Sequence, residues 1–339
     1  MIKYVHPVKP ASAKGLVAGV YAQVERDFGR VVEPFQLHSP LPKLLAGAWM
    51  VCRETEVVGI VPRATKEVVA ATVSQLNQCP YCVDAHTIML SAAGEGHTAS
   101  AISKARYEEV SDEKLFMMVQ WALANTSPRS ELLRWLPFSK QEAPEIIGTA
   151  VFYHYMNRMA NALLGETPLP VSHGWLKGPM KSIASQTFSN AIKRSKTVGD
   201  SLDFLPKADL PNDLRWTKPS VNVAQAYACF AAAVDEAGEQ ALSLEVRAHV
   251  EEELSQWAGK TSELSLAWAE DAISRFDEAT ESASRLALLT ALAPNRIDES
   301  VVLAFRKHFP EDEKLLGALA WASFAAAKKI GTWLHQSTT

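Results

Sequence analysis

Several features that would assign this chain of 339 residues to a secreted, membrane or nucleic-acid-binding class are missing. Its four cysteines are too few, and too unevenly spread, for a secreted fold that disulfides stabilise. No apolar run reaches the roughly 18 residues that a membrane span needs, and the first residues lack the apolar core of a signal peptide. A formal net charge of -4 argues against an electrostatic nucleic-acid binder. We therefore expect a cytoplasmic protein with no membrane and no nucleic-acid partner.

Strand patterns and glycine-rich phosphate loops are also missing, so no nucleotide cofactor is indicated. Helical spacing of apolar residues instead predicts long helices at Glu67 to Leu76, Asp112 to Ala124, Glu145 to Leu164, Glu245 to Trp257, Thr280 to Leu292 and Asp312 to Ile330. Residues 165–220 are rich in proline, glycine and serine, which predicts a linker with one short helix near Ile183 to Ile192. The sequence thus predicts an all-α protein with domains at 1–164 and 221–339.

The two predicted domains share short sequence matches in the same order. The matched pairs are Ser74-Gln75 with Ser255-Gln256, Ala101-Ile102-Ser103-Lys104 with Ala272-Ile273-Ser274-Arg275, Ala122-Leu123-Ala124 with Ala291-Leu292-Ala293, and Ile146-Ile147-Gly148 with Leu315-Leu316-Gly317. A duplication followed by a few deletions in the second copy would produce this pattern. The register of the first pair sets Cys79, Cys82 and His86 opposite Lys260, Glu263 and Ala267. The second copy is therefore expected to be degenerate and to lack thiol chemistry.

Candidate chemistry is concentrated around two cysteines, Cys79 and Cys82, that are separated by two residues. Pro80 suits the first position of a helix, so Cys79 is predicted to cap that helix and Cys82 to lie in its first turn. Unpaired amides and the helix dipole favour a thiolate there. His86, four residues after Cys82, shares its face of the helix and can exchange a proton with it. Glu67, on the preceding helix, can hold that histidine in one tautomer.

Over roughly Pro34 to Leu164 this chain resembles the alkylhydroperoxidase D-like (carboxymuconolactone decarboxylase) superfamily. The pattern of that superfamily is a glutamate, then eleven residues, Cys-x-x-Cys, three residues and a histidine. The resemblance implies an all-helical fold, a homo-oligomer and hydroperoxide substrates. It implies no bound cofactor and a thiol reductant protein that carries a lipoyl-type dithiol. By the same resemblance, Cys82 attacks the peroxide, Cys79 resolves the product, and Glu67 with His86 relays protons.

The identity of the attacking thiol is open to argument from the residues alone. The cap position favours Cys79, whereas the face shared with His86 favours Cys82. We favour Cys82, because proton transfer needs contact and a helix dipole does not supply it. The best-known members of the superfamily also have a second histidine between the cysteines, where this chain has Tyr81. Tyrosine is a poor base near neutral pH, which shortens the expected relay.

Two tyrosines and an arginine are the candidates for a substrate pocket: Tyr81, Tyr153 and Arg158. A zinc site is the alternative use of the motif, since Cys79, Cys82 and His86 supply three ligands. The spacing is tight for zinc and no fourth ligand is evident, so we expect no metal. The remaining notable side chains are expected to be structural: Cys52, Cys229, Trp121, Trp321 and His154.

The leading hypothesis is therefore a thiol-dependent peroxidase that reduces organic hydroperoxides through a Cys79/Cys82 cycle. A decarboxylase or other lyase of the same superfamily is the first alternative, and its chemistry would not depend on the cysteine pair. A non-enzymatic redox sensor or binding protein is the second.

Overall fold

The computed structural model describes residues 1–169, 185, 186, 188–192, 194–259, 273 and 276–336. Within these ranges every regular element is helical, and extended backbone pairs only in a single bridge between Ile2 and Leu164. The predicted all-α class is therefore confirmed. None of the described helices is both long enough and apolar enough to span a bilayer.

Helices α1 to α8 belong to the first half of the chain: Gly15–Phe28, Glu33–Gln36, Pro42–Cys52, Arg63–Leu76, Pro80–Ala92, Gly96–Ser103, Glu113–Leu123 and Ala143–Leu163. A π-helical turn, Arg53–Val57, follows α3 directly. Each predicted helix of this half is present, and the boundaries follow local capping chemistry. Asp112, for example, begins α7 as its side chain accepts a hydrogen bond of 2.8 Å from the amide of Leu115.

Helices α9 to α13 belong to the second half: Val221–Ala241, Leu244–Gln256, Glu278–Leu292, Glu299–His308 and Asp312–Gln336. The last of them runs beyond the predicted end at Ile330. The described residues between 185 and 192 are helical, as predicted for the linker, and the rest of that short helix lies outside the described residues. The division into two domains and a linker remains a prediction.

A continuous core joins the two halves. Helix α8 packs along α13, and α9 packs against both α3 and α13. Three aromatic rings meet at their junction, since Phe230 lies 5.0 Å from Tyr155 and 4.8 Å from Phe324, measured between ring centroids. Trp121, Trp321 and Cys229 are buried, as predicted. The core thus packs around α8, which also forms one wall of the candidate site.

The matched sequence segments occupy equivalent points in the two halves. One pair lies in the last turns of α4 and α10, the next ends α7 and α11, and the last lies near the starts of α8 and α13. A duplicated helical fold accounts for this agreement. Of the segment matched to the end of α6, only Ile273 is described. Lys260, Glu263 and Ala267, the expected counterparts of the motif, also lie outside the described residues.

Candidate active site

The two motif cysteines lie where α4 ends and α5 begins. Gln78 has a φ of 50°, which turns the chain sharply, and the amide of Cys79 donates to the carbonyl of Ser74 at 2.9 Å. Cys79 is the N-cap of α5 and Pro80 is its first residue. Cys82 therefore sits in the first turn of the helix, as the sequence predicted, and the positive end of the helix dipole favours its thiolate.

The sulfur atoms of Cys79 and Cys82 are 2.6 Å apart, and both side chains are buried. Burial, followed by the hydrogen bond to its partner, raises the pKa of Cys79 well above its usual value. Burial also opposes ionisation of Cys82, but the hydrogen bond from Cys79 and the charge of His86 outweigh it and lower its pKa. The pair is therefore asymmetric, because its surroundings favour ionisation of Cys82 and oppose ionisation of Cys79.

Asn157, on α8, interacts with both cysteines and with the loop between α4 and α5. Its amide nitrogen donates to Oγ of Ser74 at 3.0 Å, and its oxygen accepts from Asn77 at 2.9 Å. The same side chain also interacts with both sulfur atoms and favours the thiolate of each. One buried amide thus links the loop that carries Cys79 to the sulfur of Cys82. Neither its spacing nor its neighbours set this asparagine apart in the sequence, so the sequence did not predict its role.

His86 and Glu67 form the contact that the sequence predicted. Nδ1 of His86 lies 2.8 Å from Oε2 of Glu67, and the imidazole packs edge-on against the ring of Tyr153 at 4.3 Å between centroids. Burial opposes the imidazolium, but the hydrogen bond and charge of Glu67 outweigh it and raise the pKa of His86. The charged imidazole in turn favours the thiolate of Cys82.

The second oxygen of Glu67 is held by Arg63. Nε and Nη2 of that guanidinium lie 2.7 and 2.6 Å from Oε1, and both side chains are on α4, one turn apart. Burial opposes the carboxylate, but Arg63 outweighs it, so the pKa of Glu67 is lowered. The spacing of four residues between an arginine and the candidate glutamate was the available sequence signal for this partner.

A second buried carboxylate, Glu56, reaches the same cluster from the π-helical turn. Its Oε1 lies 3.5 Å from Nη2 of Arg63 and 3.6 Å from Nδ1 of His86. Its Oε2 accepts hydrogen bonds from Cys52, at 3.4 Å, and from the hydroxyl of Tyr153. Burial, followed by the charge of Glu67, raises the pKa of Glu56. The sequence offered no spacing that would have identified this residue.

Three side chains of this cluster could bind a metal by distance alone. Within the described ranges, ligand atoms of Glu56, Glu67 and His86 lie within 4.8 Å of one another. Arg63, however, contacts both carboxylates and supplies the positive charge that a cation would bring. The geometry therefore favours an ion-pair cluster, and it differs from the zinc set of Cys79, Cys82 and His86 considered from the sequence.

A cavity of about 310 Å³ opens beside this cluster. Four of the residues that the sequence predicted for the site line this cavity with reactive or polar groups: Tyr81, Cys82, His86 and Tyr153. Most of the remaining wall is apolar: Phe28, Val32, Pro34, Phe35, Ile88, Met89, Phe152, Met156, Pro168, Leu169 and Phe188. Cys52, expected to be structural, is buried and also reaches this wall. Cys79 is absent from the described lining, so Cys82 is the motif thiol that a cavity ligand meets.

The structure does not bring Arg158 to the cavity, which corrects its expected place in a substrate pocket. Its guanidinium donates to the carbonyl of Ala291 at 3.0 Å and to that of His154 at 2.7 Å. It follows Tyr153 by five residues, which is about 140° around a helix, so the two side chains face different ways. His154 is fully buried, as expected for a packed residue.

Tyr81 lines the cavity but its hydroxyl is directed at Glu33, to which it donates at 2.9 Å. Burial, followed by the charge of Glu33, raises its pKa. Tyr81 therefore does not take the part of a second histidine in the relay. Its hydrogen bond to Glu33 links α5 to α2 at the edge of the cavity.

An all-α chain with a dithiol at the start of a helix and a histidine–glutamate pair beside it has the architecture of the alkylhydroperoxidase D-like class. The model of the carboxymuconolactone decarboxylase family matches residues 43–124. The chain is also 37% identical over 338 residues to a Mycobacterium tuberculosis protein named alkyl hydroperoxide reductase, covering 98% of this chain and 95% of that protein. The chain therefore belongs to the carboxymuconolactone decarboxylase family, and the resemblance seen in the motif is confirmed.

Proposed function

We propose that this protein is a thiol-dependent peroxidase that reduces organic hydroperoxides through a Cys79/Cys82 dithiol–disulfide cycle. One observation carries the proposal: Cys82 lines the cavity, and the sulfur of Cys79 lies 2.6 Å from it. A substrate oxygen in the cavity can therefore contact Cys82 while Cys79 is close enough to form a disulfide with it. The sulfur atoms of a disulfide are about 2.05 Å apart. The name of the mycobacterial relative agrees with this chemistry.

In the first half of the cycle, the thiolate of Cys82 attacks the terminal oxygen of the hydroperoxide. A sulfur–oxygen bond forms and the oxygen–oxygen bond breaks, so the sulfur is oxidised by two electrons and the peroxide is reduced. The leaving alkoxide takes a proton from His86 and departs as an alcohol. Glu67 favours the charged imidazole from which that proton comes.

In the second half, the thiol of Cys79 attacks the sulfur of the sulfenic acid at Cys82. A disulfide forms, the sulfur–oxygen bond breaks, and hydroxide leaves as water with the proton from Cys79. An external dithiol then reduces the disulfide by exchange. We propose a thiol reductant protein with a lipoyl-type dithiol in this part, a cytoplasmic setting that keeps it reduced, and no bound cofactor.

The apolar lining supports an organic hydroperoxide as the substrate. Aromatic and aliphatic side chains cover most of the cavity wall, and Cys82 and His86 belong to the same wall. An alkyl or aryl group would be desolvated against this wall, which would direct the peroxide end towards the thiolate. Hydrogen peroxide would gain nothing from it. We accordingly propose a preference for bulky apolar hydroperoxides.

Mass spectrometry of the reduced protein after one equivalent of cumene hydroperoxide tests the proposed cycle. We expect rapid loss of two thiols and a Cys79–Cys82 disulfide. Cys79→Ser should stop at the sulfenic acid on Cys82, which a dimedone adduct would report, whereas Cys82→Ser should consume no peroxide. Survival of both thiols in a folded protein would refute the proposal. Size-exclusion chromatography with light scattering would separately test the homo-oligomer that the family implies.

A further inference from the structure

Four ionisable side chains form a cluster next to the cavity: Glu56, Arg63, Glu67 and His86. Arg63 is permanently cationic, and the two carboxylates together carry one negative charge more than it balances. All three of these side chains are largely shielded from water, where an unbalanced charge is costly. The cluster is neutral when it holds one additional proton. The structure therefore has a place for the proton that Cys82 gives up.

The two carboxylates differ in how well they can accept that proton. Both oxygens of Glu67 are bound by cationic groups at 2.6 to 2.8 Å, which keeps this carboxylate ionised. Glu56 makes its closest cationic contacts at 3.5 and 3.6 Å, to Arg63 and to His86. Burial and the neighbouring charge of Glu67 raise its pKa, whereas the pKa of Glu67 is lowered. Two carboxyl groups whose environments shift their pKa values in opposite directions can take different roles in acid–base chemistry.

Five titratable or charged groups from four helices face Glu56. Cys52 reaches it from the end of α3, Arg63 and Glu67 from α4, His86 from α5 and Tyr153 from α8. Of these, Arg63 and His86 favour its ionised form, as does the hydrogen bond from Tyr153, while Glu67 opposes it. The opposing influences make Glu56, rather than Glu67, the carboxyl group of the cluster that can take up a proton.

We propose that Glu56 is a proton carrier that acts through His86, a role that rests on the proposed peroxidase function for its final step. When the S–H bond of Cys82 breaks, an N–H bond forms on His86. The proton on Nδ1 then moves to Oε1 of Glu56, where an O–H bond forms after a small turn of the ring away from Glu67. When the peroxide bond breaks, the proton returns along the same atoms to the alkoxide. Oxidation and reduction stay on sulfur and peroxide oxygen.

Infrared difference spectroscopy tests this assignment without peroxide, because diamide can oxidise the dithiol. We expect the reduced protein to show the C=O stretch of a protonated carboxyl group that is absent from the oxidised protein. Glu56→Gln should abolish that band. Glu54→Gln is the matched control, since Glu54 is buried on the same turn but binds Ser201 and Arg53 instead. A band that survives Glu56→Gln, or a reduced wild type without one, would overturn the proposal.

A second variant keeps the test valid if Glu56→Gln does not fold. Tyr153→Phe retains the carboxyl group and removes the hydroxyl that donates to it. The band should persist and shift in frequency, because its hydrogen bond is lost. An unshifted band would assign the proton to a different carboxyl group and contradict the role of Glu56.

Stopped-flow kinetics tests whether proton transfer through Glu56 affects the rate at which peroxide oxidises Cys82. In Glu56→Gln we expect oxidation of Cys82 by cumene hydroperoxide to slow by roughly tenfold or more, and one ionisation to disappear from its pH profile. An unchanged rate and profile would contradict the proposal. If peroxide does not oxidise Cys82 in the wild type either, the peroxidase function fails, while the infrared result still decides whether Glu56 holds the proton.

Discussion

Arg63 binds one oxygen of Glu67 through two nitrogens and leaves the other oxygen to His86. This arrangement means that the charge on the glutamate, and through it the charge on the imidazole, depends on the guanidinium. The proposed thiolate of Cys82 is therefore supported by a residue that does not belong to the Cys-x-x-Cys pattern. Arg63 extends the motif by one helical turn towards the start of α4.

Replacement of Arg63 by glutamine should raise the pKa of Cys82. Glu67 would lose the partner that keeps it ionised, His86 would be charged less often, and the thiolate would lose its support. We expect the midpoint of the pH dependence of Cys82 alkylation to rise by about one unit, which is roughly tenfold less thiolate near neutral pH. Arg106→Gln is the control, since that arginine pairs with Glu109 on the surface. Equal midpoints in both variants would contradict the prediction.

Replacement of Asn157 should also raise the pKa of Cys82, by an amount that depends on the substitute. Alanine removes the amide that favours the thiolate, and aspartate adds a repelling charge at the same position. The alkylation midpoint should therefore rise for Asn157→Ala and rise further for Asn157→Asp. Asn161→Ala is the matched control, because Asn161 contacts the backbone of Asn77 from the same helix. A lower midpoint for aspartate than for alanine would exclude this role.

The sequence predicted those parts of the site that are set by local rules. Proline at the first helical position identified Cys79 as a cap, and a spacing of four residues put His86 on the face of Cys82. Both features depend on neighbours along the chain, so one sequence contains them. The contact between His86 and Glu67 also followed, because adjacent helices bring the two elements together.

Glu56 was missed because its position depends on contacts between distant parts of the chain. The π-helical turn that carries it is stabilised by Thr55, whose carbonyl accepts a hydrogen bond of 3.2 Å from Thr149 of α8. No periodicity predicts such a turn, and π-helical turns are rare. Arg158 was misplaced for the opposite reason: it lies near Tyr153 in sequence, but the helix turns it away from the cavity.

Replacement of Gly59 by alanine should destabilise the start of α4. Gly59 has a φ of 114°, and a Cβ atom there would lie 2.3 Å from the carboxylate of Glu145. That carboxylate binds Lys66 and the amides of Ile60 and Val61, so it cannot move freely. We expect a loss of about 3 kcal/mol in the free energy of unfolding, measured with urea.

Gly94→Ala is the matched control for that measurement. Gly94 also has a positive φ, of 103°, but a Cβ atom there would meet nothing within 4 Å. Its replacement reports the backbone strain alone, which we expect to cost about 1 kcal/mol. Equal losses for the two variants would show that the contact with Glu145 contributes nothing.

The stability that Glu67 contributes should depend on pH in a defined direction. Its pKa in the folded protein is lowered from 4.5, so the contribution is present above that value and is lost as the pH falls through the folded pKa. Glu67→Gln leaves Arg63 without its closest partner, and we expect a loss of about 3 to 5 kcal/mol near pH 7. Urea unfolding of both proteins from pH 7 to pH 3 should show this difference shrinking below pH 4.5. Glu109→Gln, on the surface, should show no comparable trend. A difference that grows as the pH falls would mean that the carboxyl group is bound in its neutral form, and the relay would have to be redrawn with Glu67 as the proton carrier.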